Sequence, residues 1–158
     1  MSIATEEGYG PRAGERPRLR LWPESYAVAT VRHPPALPGA SPGEAPVAVV
    51  VEEGETTVVA PAAKLKSMGV EVSRRRDGYR LLTLAGELPL EAVGVVAALS
   101  RALTEARVSV LVVSSFATDH LLVPEKQLGR ALAALAQVRV PGYPQPAAEG
   151  SGGAPPAD

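Results

Sequence analysis

Two apolar stretches on either side of a short polar tip form the clearest pattern in the chain. Residues 110–113 and 121–123 are apolar, and the tip between them is rich in serine and carries one phenylalanine, one threonine and one aspartate. The same order occurs without a gap at residues 47–61, which lie 63 positions upstream of residues 110–124. Similarity at a constant offset indicates a duplicated structural unit. The pattern therefore predicts two related lobes, with the polar tips as the place to look for function.

The second half of the chain predicts the order strand, helix, strand, strand, helix. Asp77-Gly78 is a tight-turn signal, so the first strand is expected to begin directly after it. Apolar residues then recur at helical spacing, which is typical of an amphipathic helix. Pro124 and Glu125 suit the first turn of the last helix. These elements are expected at residues 79–85, 91–106, 108–114 and 120–123, with the last helix starting at residue 124.

The first half predicts a reduced version of the same order. A strand at residues 26–31 is followed by a connection rich in proline and glycine, which cannot form a regular helix. The hairpin and a short helix at residues 62–67 come next. Residues 70–72 and 138–140 are candidates for the fourth strand of each half. The sequence predicts an α+β protein of two ferredoxin-like βαββαβ lobes, the first of them degenerate.

The predicted lobes cover residues 21–73 and residues 77–140. Residues 1–20 and 141–158 mix glycine, proline, alanine and charged residues without a period, and segments of this kind do not bury enough apolar surface to offset the entropy of ordering. The N-terminal segment is therefore expected to be a flexible tail, and the C-terminal one a disordered tail.

Composition excludes several classes of function. The chain has 158 residues and a formal net charge of −1, with 16 lysines and arginines against 17 acids, so no strong field favours nucleic acid or a membrane surface. The absence of cysteine excludes disulfides, thiolate nucleophiles and cysteine-ligated metals. No apolar leader or membrane-length apolar run is visible. We expect a cytoplasmic protein.

Catalytic motifs are weak. Residues 39–43 match G-x-S-x-G, but the residue after Ser41 is Pro42, which has no N–H for an oxyanion hole, so a turn-rich linker is favoured. His120 adjoins Asp119 on a strand, so their side chains point to opposite faces and cannot form a triad. Neither a metal-ligand spacing nor a phosphate-binding glycine loop is present, so no metal, no cofactor and no enzymatic activity are expected.

One constellation in the second half could bind a small molecule. The first N–H groups of the predicted helix can hold a carboxylate, and Gly94 lets a ligand approach the backbone closely. The tip at residues 114–119 offers hydroxyls, an aromatic wall and a carboxylate, which together suit an α-amino acid. Alternatively, Gly94 only permits helix–sheet packing and Asp119 only caps the turn. The candidate ligand-binding residues are Gly94, Val95, Ser115, Phe116, Thr118 and Asp119.

Residues 94–106, 108–110 and 114–124 resemble the second ACT domain of the bacterial two-ACT proteins related to the CASTOR arginine sensors. The resemblance extends from residue 26 to about residue 137. It implies ACT-type lobes, no catalysis, and an amino acid bound at an interface between lobes. In the CASTOR-like pattern the ligand lies between the glycine turn and the Ser/Thr-Phe-x-x-Asp tip, which implies contacts with Gly94, Ser115, Phe116 and Asp119.

Two departures modify what the resemblance implies. CASTOR proteins have four ACT lobes in one chain and this chain has two, so a homodimer is needed to rebuild the arrangement. Ala97 stands where an acidic residue grips arginine in the sensor. The expected function is a non-catalytic sensor or regulator that binds a small amino acid. The alternative is a ligand-free ACT interaction module, or the regulatory subunit of a separate enzyme partner.

Overall fold

The computed structural model describes residues 14–37, 41–86, 88 and 90–140. The predicted C-terminal tail, and the predicted N-terminal tail as far as residue 13, lie outside these residues. The prediction of a tail is wrong for residues 19 and 20, which belong to the first strand. They join the sheet because Leu19 and Leu21 pack against its main hydrophobic core.

The described chain forms six strands and three α-helices. The strands are β1 (Leu19–Val31), β2 (Ala48–Glu52), β3 (Glu55–Pro61), β4 (Val72–Leu84), β5 (Leu111–Ser114) and β6 (Asp119–Pro124). The helices are α1 (Ala62–Ser67), α2 (Val95–Glu105) and α3 (Leu128–Leu135), the last preceded by a 3-10 turn at Glu125–Gln127. Within the described ranges, no helix has both the length and the apolar character needed to cross a membrane.

The strands form one antiparallel sheet in the order β2-β3-β1-β4-β6-β5, which confirms the α+β class. The predicted strand at residues 138–140 is wrong. Its expected place beside β4 is taken by the start of β1, where Leu19 pairs with Leu84 and Leu21 with Leu82. Val140 instead lies beside the N-terminal segment, with its carbonyl accepting the N–H of Gly14 at 2.9 Å.

The tight turn predicted at Asp77-Gly78 is also wrong, because β4 runs straight through it. Tyr26 of β1 pairs with Tyr79 and Ala27 pairs with Asp77, so Gly78 is an extra residue in the ladder. Its φ of +83° suits this bulge, since glycine adopts positive φ at little cost. A reversal is not needed because β1 is 13 residues long and offers β4 a partner on both sides of the bulge.

The repeat seen in the sequence has a structural counterpart. Ala48 pairs with Val59 in the first hairpin, and Leu111 pairs with Leu122 in the second, which is the same register at the offset of 63 residues. The shared register follows from the shared alternation of apolar positions. The division of the sheet into two ferredoxin-like lobes stays a prediction.

The helices α2 and α3 cover one face of the β4–β6 half of the sheet. Leu82 and Leu84 of β4 pack there with Leu99 and Leu103 of α2 and Leu135 of α3. Successive side chains of a strand point to opposite faces, so Leu81 lies on the other side, in a cluster with Trp22 and Tyr26. The sheet is therefore apolar on both faces, but only one face carries α2 and α3.

The proline-rich connection between β1 and β2 contains the G-x-S-x-G match. Gly39 and Ala40 lie outside the described residues. In the described remainder the backbone turns at Pro42, with the Glu44 N–H donating to the Ser41 carbonyl at 3.0 Å. The Ser41 N–H donates to the Glu44 carboxylate at 3.1 Å, and this bond together with Lys64 lowers the pKa of Glu44. Ser41 thus lies in a surface turn, not after a strand.

Candidate functional site

The helix α2 begins at Val95, four residues later than the sequence predicts. Gly94 is the residue before it and has a φ of +86°, a left-handed conformation that cannot continue an α-helix. The Gly94 carbonyl accepts the Ala98 N–H at 2.9 Å, which is the first bond of the helix. The N–H groups of residues 95–97 have no acceptor within the helix and carry partial positive charge.

The tip between β5 and β6 is a four-residue turn held by its own hydrogen bonds. The Ser115 N–H and the Ser115 hydroxyl both donate to the Thr118 carbonyl, each at 2.9 Å. The Thr118 N–H donates back to Ser115 Oγ at 3.2 Å. These bonds leave Phe116 at the end of the turn, where 77% of its surface is exposed.

Two further hydrogen bonds attach the tip to the end of β4 and to the segment that leads into α2. The Thr118 hydroxyl donates to the Leu84 carbonyl at 2.8 Å. The Leu88 N–H donates to the Ala117 carbonyl at 2.8 Å. The hydroxyl of Thr118 therefore donates to the backbone and holds the tip against the end of β4.

Asp119 and His120 lie on opposite faces of β6, as the sequence predicts. Asp119 is half-buried on the helical side, and one of its carboxylate oxygens accepts a hydrogen bond from the Ser114 hydroxyl at 2.6 Å. His120 is 9% exposed and lies on the other side, with its Nδ1 2.8 Å from Thr83 Oγ1. The two side chains therefore cannot act together as a catalytic pair.

All six candidate residues line one cavity of about 260 Å³ between the start of α2 and the β5–β6 tip. The sequence did not predict the other wall, which Leu88, Leu90 and Ala92 form from the segment before α2. The alternation of apolar residues in this segment indicated that they share one side of it. The local sequence did not indicate that this side lies beside the tip. Asp119 is the only charged residue lining this cavity in the described part of the chain.

The cavity can hold a small zwitterion. The N–H groups at the start of α2 can bind an anion, and the Asp119 carboxylate can pair with a cation. The remaining wall is mostly apolar. The described residues contain no cluster of three or more histidine, aspartate and glutamate side chains that could hold a metal ion.

Comparison with known proteins identifies the segment that carries this cavity. Residues 74–137 match the family model of the ACT domain. This segment is therefore similar to an ACT domain. The matched segment runs from within β4 to just beyond α3, so it includes both Gly94 and the tip. No curated protein matches the sequence significantly.

Solved structures show the same fold over most of the chain. A protein of Agrobacterium tumefaciens is 24% identical over 77% of this chain and 88% of its own, with a TM-score of 0.62. A Vibrio cholerae protein of unknown function, described as a possible transport protein, is 26% identical over 80% and 90%, with a TM-score of 0.57. The regulatory subunit of aspartate kinase from Thermus thermophilus is 16% identical over 75% and 95%, with a TM-score of 0.51. The segment that is similar to the ACT domain thus lies in a fold that this chain shares with the regulatory subunit of aspartate kinase.

Replacing Thr118 with valine should destabilise the ACT domain by about 1 kcal/mol, because the partly buried Leu84 carbonyl loses its hydroxyl donor. Urea unfolding measures the change. Thr104→Val is the matched control, since the Thr104 hydroxyl also donates to a carbonyl, that of Ser100, but on an exposed surface. Equal losses in the two variants would contradict the assignment of Thr118 as the residue that positions the tip.

Protonation of His120 should destabilise the fold. Burial lowers the pKa of His120 below its ordinary value, although Asp119 opposes this in part. As the pH falls below about 6.5, the unfolded chain therefore binds a proton before the folded one does, and stability is lost. Urea unfolding between about pH 7.5 and 5.5 should show this loss, and His120→Phe should reduce it. An undiminished loss in His120→Phe would show that another group is responsible.

Proposed function

We propose that the chain is a non-catalytic regulatory protein that binds a small amino acid in the cavity between α2 and the β5–β6 tip. The proposal rests on one observation. A helix N-terminus, one carboxylate and an apolar wall surround a single cavity of about 260 Å³. An α-amino acid has one group complementary to each of these features. The ACT match over the same residues supports it.

The backbone of the ligand determines its orientation in this proposal. Its carboxylate accepts hydrogen bonds from the free N–H groups at the start of α2, where Gly94 has no side chain to block the approach. Its ammonium pairs with Asp119, whose position is held by the Ser114 hydroxyl. Both charged groups of the ligand are thereby matched inside the protein.

The side chain of the ligand faces apolar groups. Leu88, Leu90 and Val95 line the cavity together with Phe116, and no lysine or arginine lines it among the described residues. An acidic side chain would have no cation to pair with. The alanine at position 97 lines the cavity as well, so a long cationic side chain finds no second carboxylate. We infer a preference for small neutral amino acids with apolar side chains.

A second copy of the chain is proposed to complete the site. Leu90 and Phe116 line the cavity and are 65% and 77% exposed, and Val93, in the same segment as Leu90, is 77% exposed. Apolar side chains exposed together favour association. A homodimer that covers this rim would enclose the ligand between ACT lobes, as the resemblance to the CASTOR-related proteins implies. That relationship remains a prediction.

Isothermal titration of the full chain with each of the twenty amino acids tests the proposal. We expect binding by one or more small apolar amino acids and none by arginine, aspartate or glutamate. The mirror-image enantiomer of the best ligand is the control and should bind at least about tenfold more weakly, because it cannot satisfy all three contacts at once. Absence of heat with all twenty would contradict the binding function.

The same exposed rim supports one alternative, an ACT interaction module or the regulatory subunit of a separate enzyme. In that case Leu90, Val93 and Phe116 contact an enzyme instead of a second copy. Purification from native lysate separates the two possibilities. The alternative is supported if an enzyme co-purifies in stoichiometric amount, if Phe116→Ser abolishes this association, and if titration with the amino acids gives no heat. Recovery of the dimer alone contradicts it.

A further inference from the structure

A second cavity, of about 220 Å³, lies on the face of the sheet that α2 and α3 leave uncovered. Its wall is formed largely by apolar side chains of all six strands, including Val59, Leu81, Val113 and Leu122, and by the segment that enters β2. Among the described residues no aspartate, glutamate, lysine or arginine lines it. Its occupant therefore meets no formal charge from these side chains.

Two side chains in the wall that carry a polar group are at least nine-tenths buried, Tyr26 and His120. The Tyr26 hydroxyl already donates to the Pro46 carbonyl at 3.0 Å. His120 is 9% exposed, and its Nδ1 lies 2.8 Å from Thr83 Oγ1. Thr83 does not line the cavity, so the ring edge bearing Nδ1 is turned away from it. The distal nitrogen, Nε2, has no hydrogen-bond partner among the described residues, and it is the polar atom that His120 can offer to the cavity.

A chain of hydrogen bonds favours the tautomer of His120 that carries its proton on Nε2. The Trp22 indole N–H can only donate, and it donates to Thr83 Oγ1 at 2.8 Å. The single hydroxyl proton of Thr83 is then available for His120 Nδ1. When Thr83 donates this proton to Nδ1, the ring proton of neutral His120 resides on Nε2, which becomes a donor.

We propose that this cavity is a second small-molecule site, which takes a neutral apolar molecule carrying one hydrogen-bond acceptor, such as an aromatic ketone. The acceptor pairs with His120 Nε2–H, and the apolar part contacts Leu81 and Leu122. A cavity of about 150 Å³ suffices for benzene, so the present volume admits a ring with a small substituent. The site is separate from the amino-acid cavity and does not rest on the function proposed for it.

Two nearly isosteric probes test the site on the unmodified protein. Acetophenone has a carbonyl acceptor, and in α-methylstyrene a methylene group replaces the carbonyl oxygen. We expect both to shift the backbone amide signals of Leu81 and Leu122 in ¹H–¹⁵N spectra of the labelled full chain. Acetophenone should bind roughly three- to tenfold more tightly, which is the ordinary contribution of one hydrogen bond. Equal affinities would overturn the role of His120.

Two substitutions on β5 form a matched pair. Val113→Phe adds volume inside the cavity, whereas Val112→Phe adds it on the opposite face of the same strand. The first should abolish binding of both probes and the second should leave their affinities within about twofold. His120→Phe should make the affinities of the two probes equal, and the variant should still bind α-methylstyrene.

Three results would overturn the site. The first is the absence of signal changes for either probe up to its solubility. The second is a set of changes confined to the amino-acid cavity near Gly94 and Phe116. The third is binding that survives Val113→Phe in a variant whose remaining spectrum is native. Ser114 and Ser115 line both cavities, so shifts of their signals are not used to assign the location.

Discussion

Replacing Asp119 with alanine is expected to weaken binding of the amino-acid ligand about 30-fold, which corresponds to about 2 kcal/mol. Asp119 is the only charged side chain lining the cavity in the described part of the chain, so no other described side chain in its wall can pair with the ligand's ammonium. Its carboxylate is also held in place by the Ser114 hydroxyl at 2.6 Å, so it meets the ligand already oriented. Titration of the preferred amino acid into wild type and variant measures the effect.

Glu91→Ala is the matched control for this experiment. Glu91 is another carboxylate in the segment before α2, but it is exposed and does not line the cavity. Its removal changes the net charge equally and should leave the affinity within about twofold, because exposed charges at a distance are screened by salt. Equal losses in the two variants would indicate a general electrostatic effect and would contradict a direct contact by Asp119.

The hydroxyl partner offers a graded version of the same test. Ser114→Ala keeps the carboxylate but removes the donor that orients it. We expect the affinity for the amino acid to fall about threefold to fivefold. This loss lies between that of Glu91→Ala and that of Asp119→Ala. A loss in Ser114→Ala as large as in Asp119→Ala would show that the serine hydroxyl itself contacts the ligand.

Replacing Leu99 with alanine should lower the free energy of unfolding by about 3 kcal/mol. Leu99 is fully buried and packs α2 against β4, β6 and α3 in the largest hydrophobic cluster. Truncation removes its apolar contacts and leaves a cavity that the surrounding sheet and helices fill only in part. Urea unfolding at neutral pH measures the change.

Leu132→Ala in α3 is the matched control, because the same atoms are removed from a residue that is 37% exposed. Its loss should be below about 1.5 kcal/mol. The contrast tests whether α2, whose first turn lines the amino-acid cavity, is held by burial of its apolar stripe. Comparable losses in the two variants would contradict the packing described for Leu99.

The sequence predicted the local elements because their signals are local. The alternation of apolar residues sets both hairpins and their common register, and the helical spacing of Leu99 and Leu103 sets the buried face of α2. The candidate ligand residues were predicted from the same features, a glycine before a helix and a polar tip after a strand. All of them line one cavity, while their contact with a ligand stays a prediction.

The sequence failed where a neighbour distant along the chain decided the outcome. Asp77-Gly78 has the composition of a turn, yet β1 pairs with the chain on both sides of it and makes it a bulge. Residues 138–140 have the composition of a strand, yet residues 19–21 already occupy the edge of β4 that they would need. Strand propensity does not select a partner, because the pairing energy depends on what else competes for the same edge.

The sequence alone predicted the α+β class, the repeated hairpin and a candidate site formed by the Gly94 turn and the tip that carries Asp119. Each is encoded within a few residues by side-chain periodicity or backbone freedom. Only the tertiary structure showed that the segment before α2 forms a wall of the amino-acid cavity, and that His120 faces a second cavity on the opposite side of the sheet. These features depend on contacts between segments far apart in the chain, which no local pattern specifies.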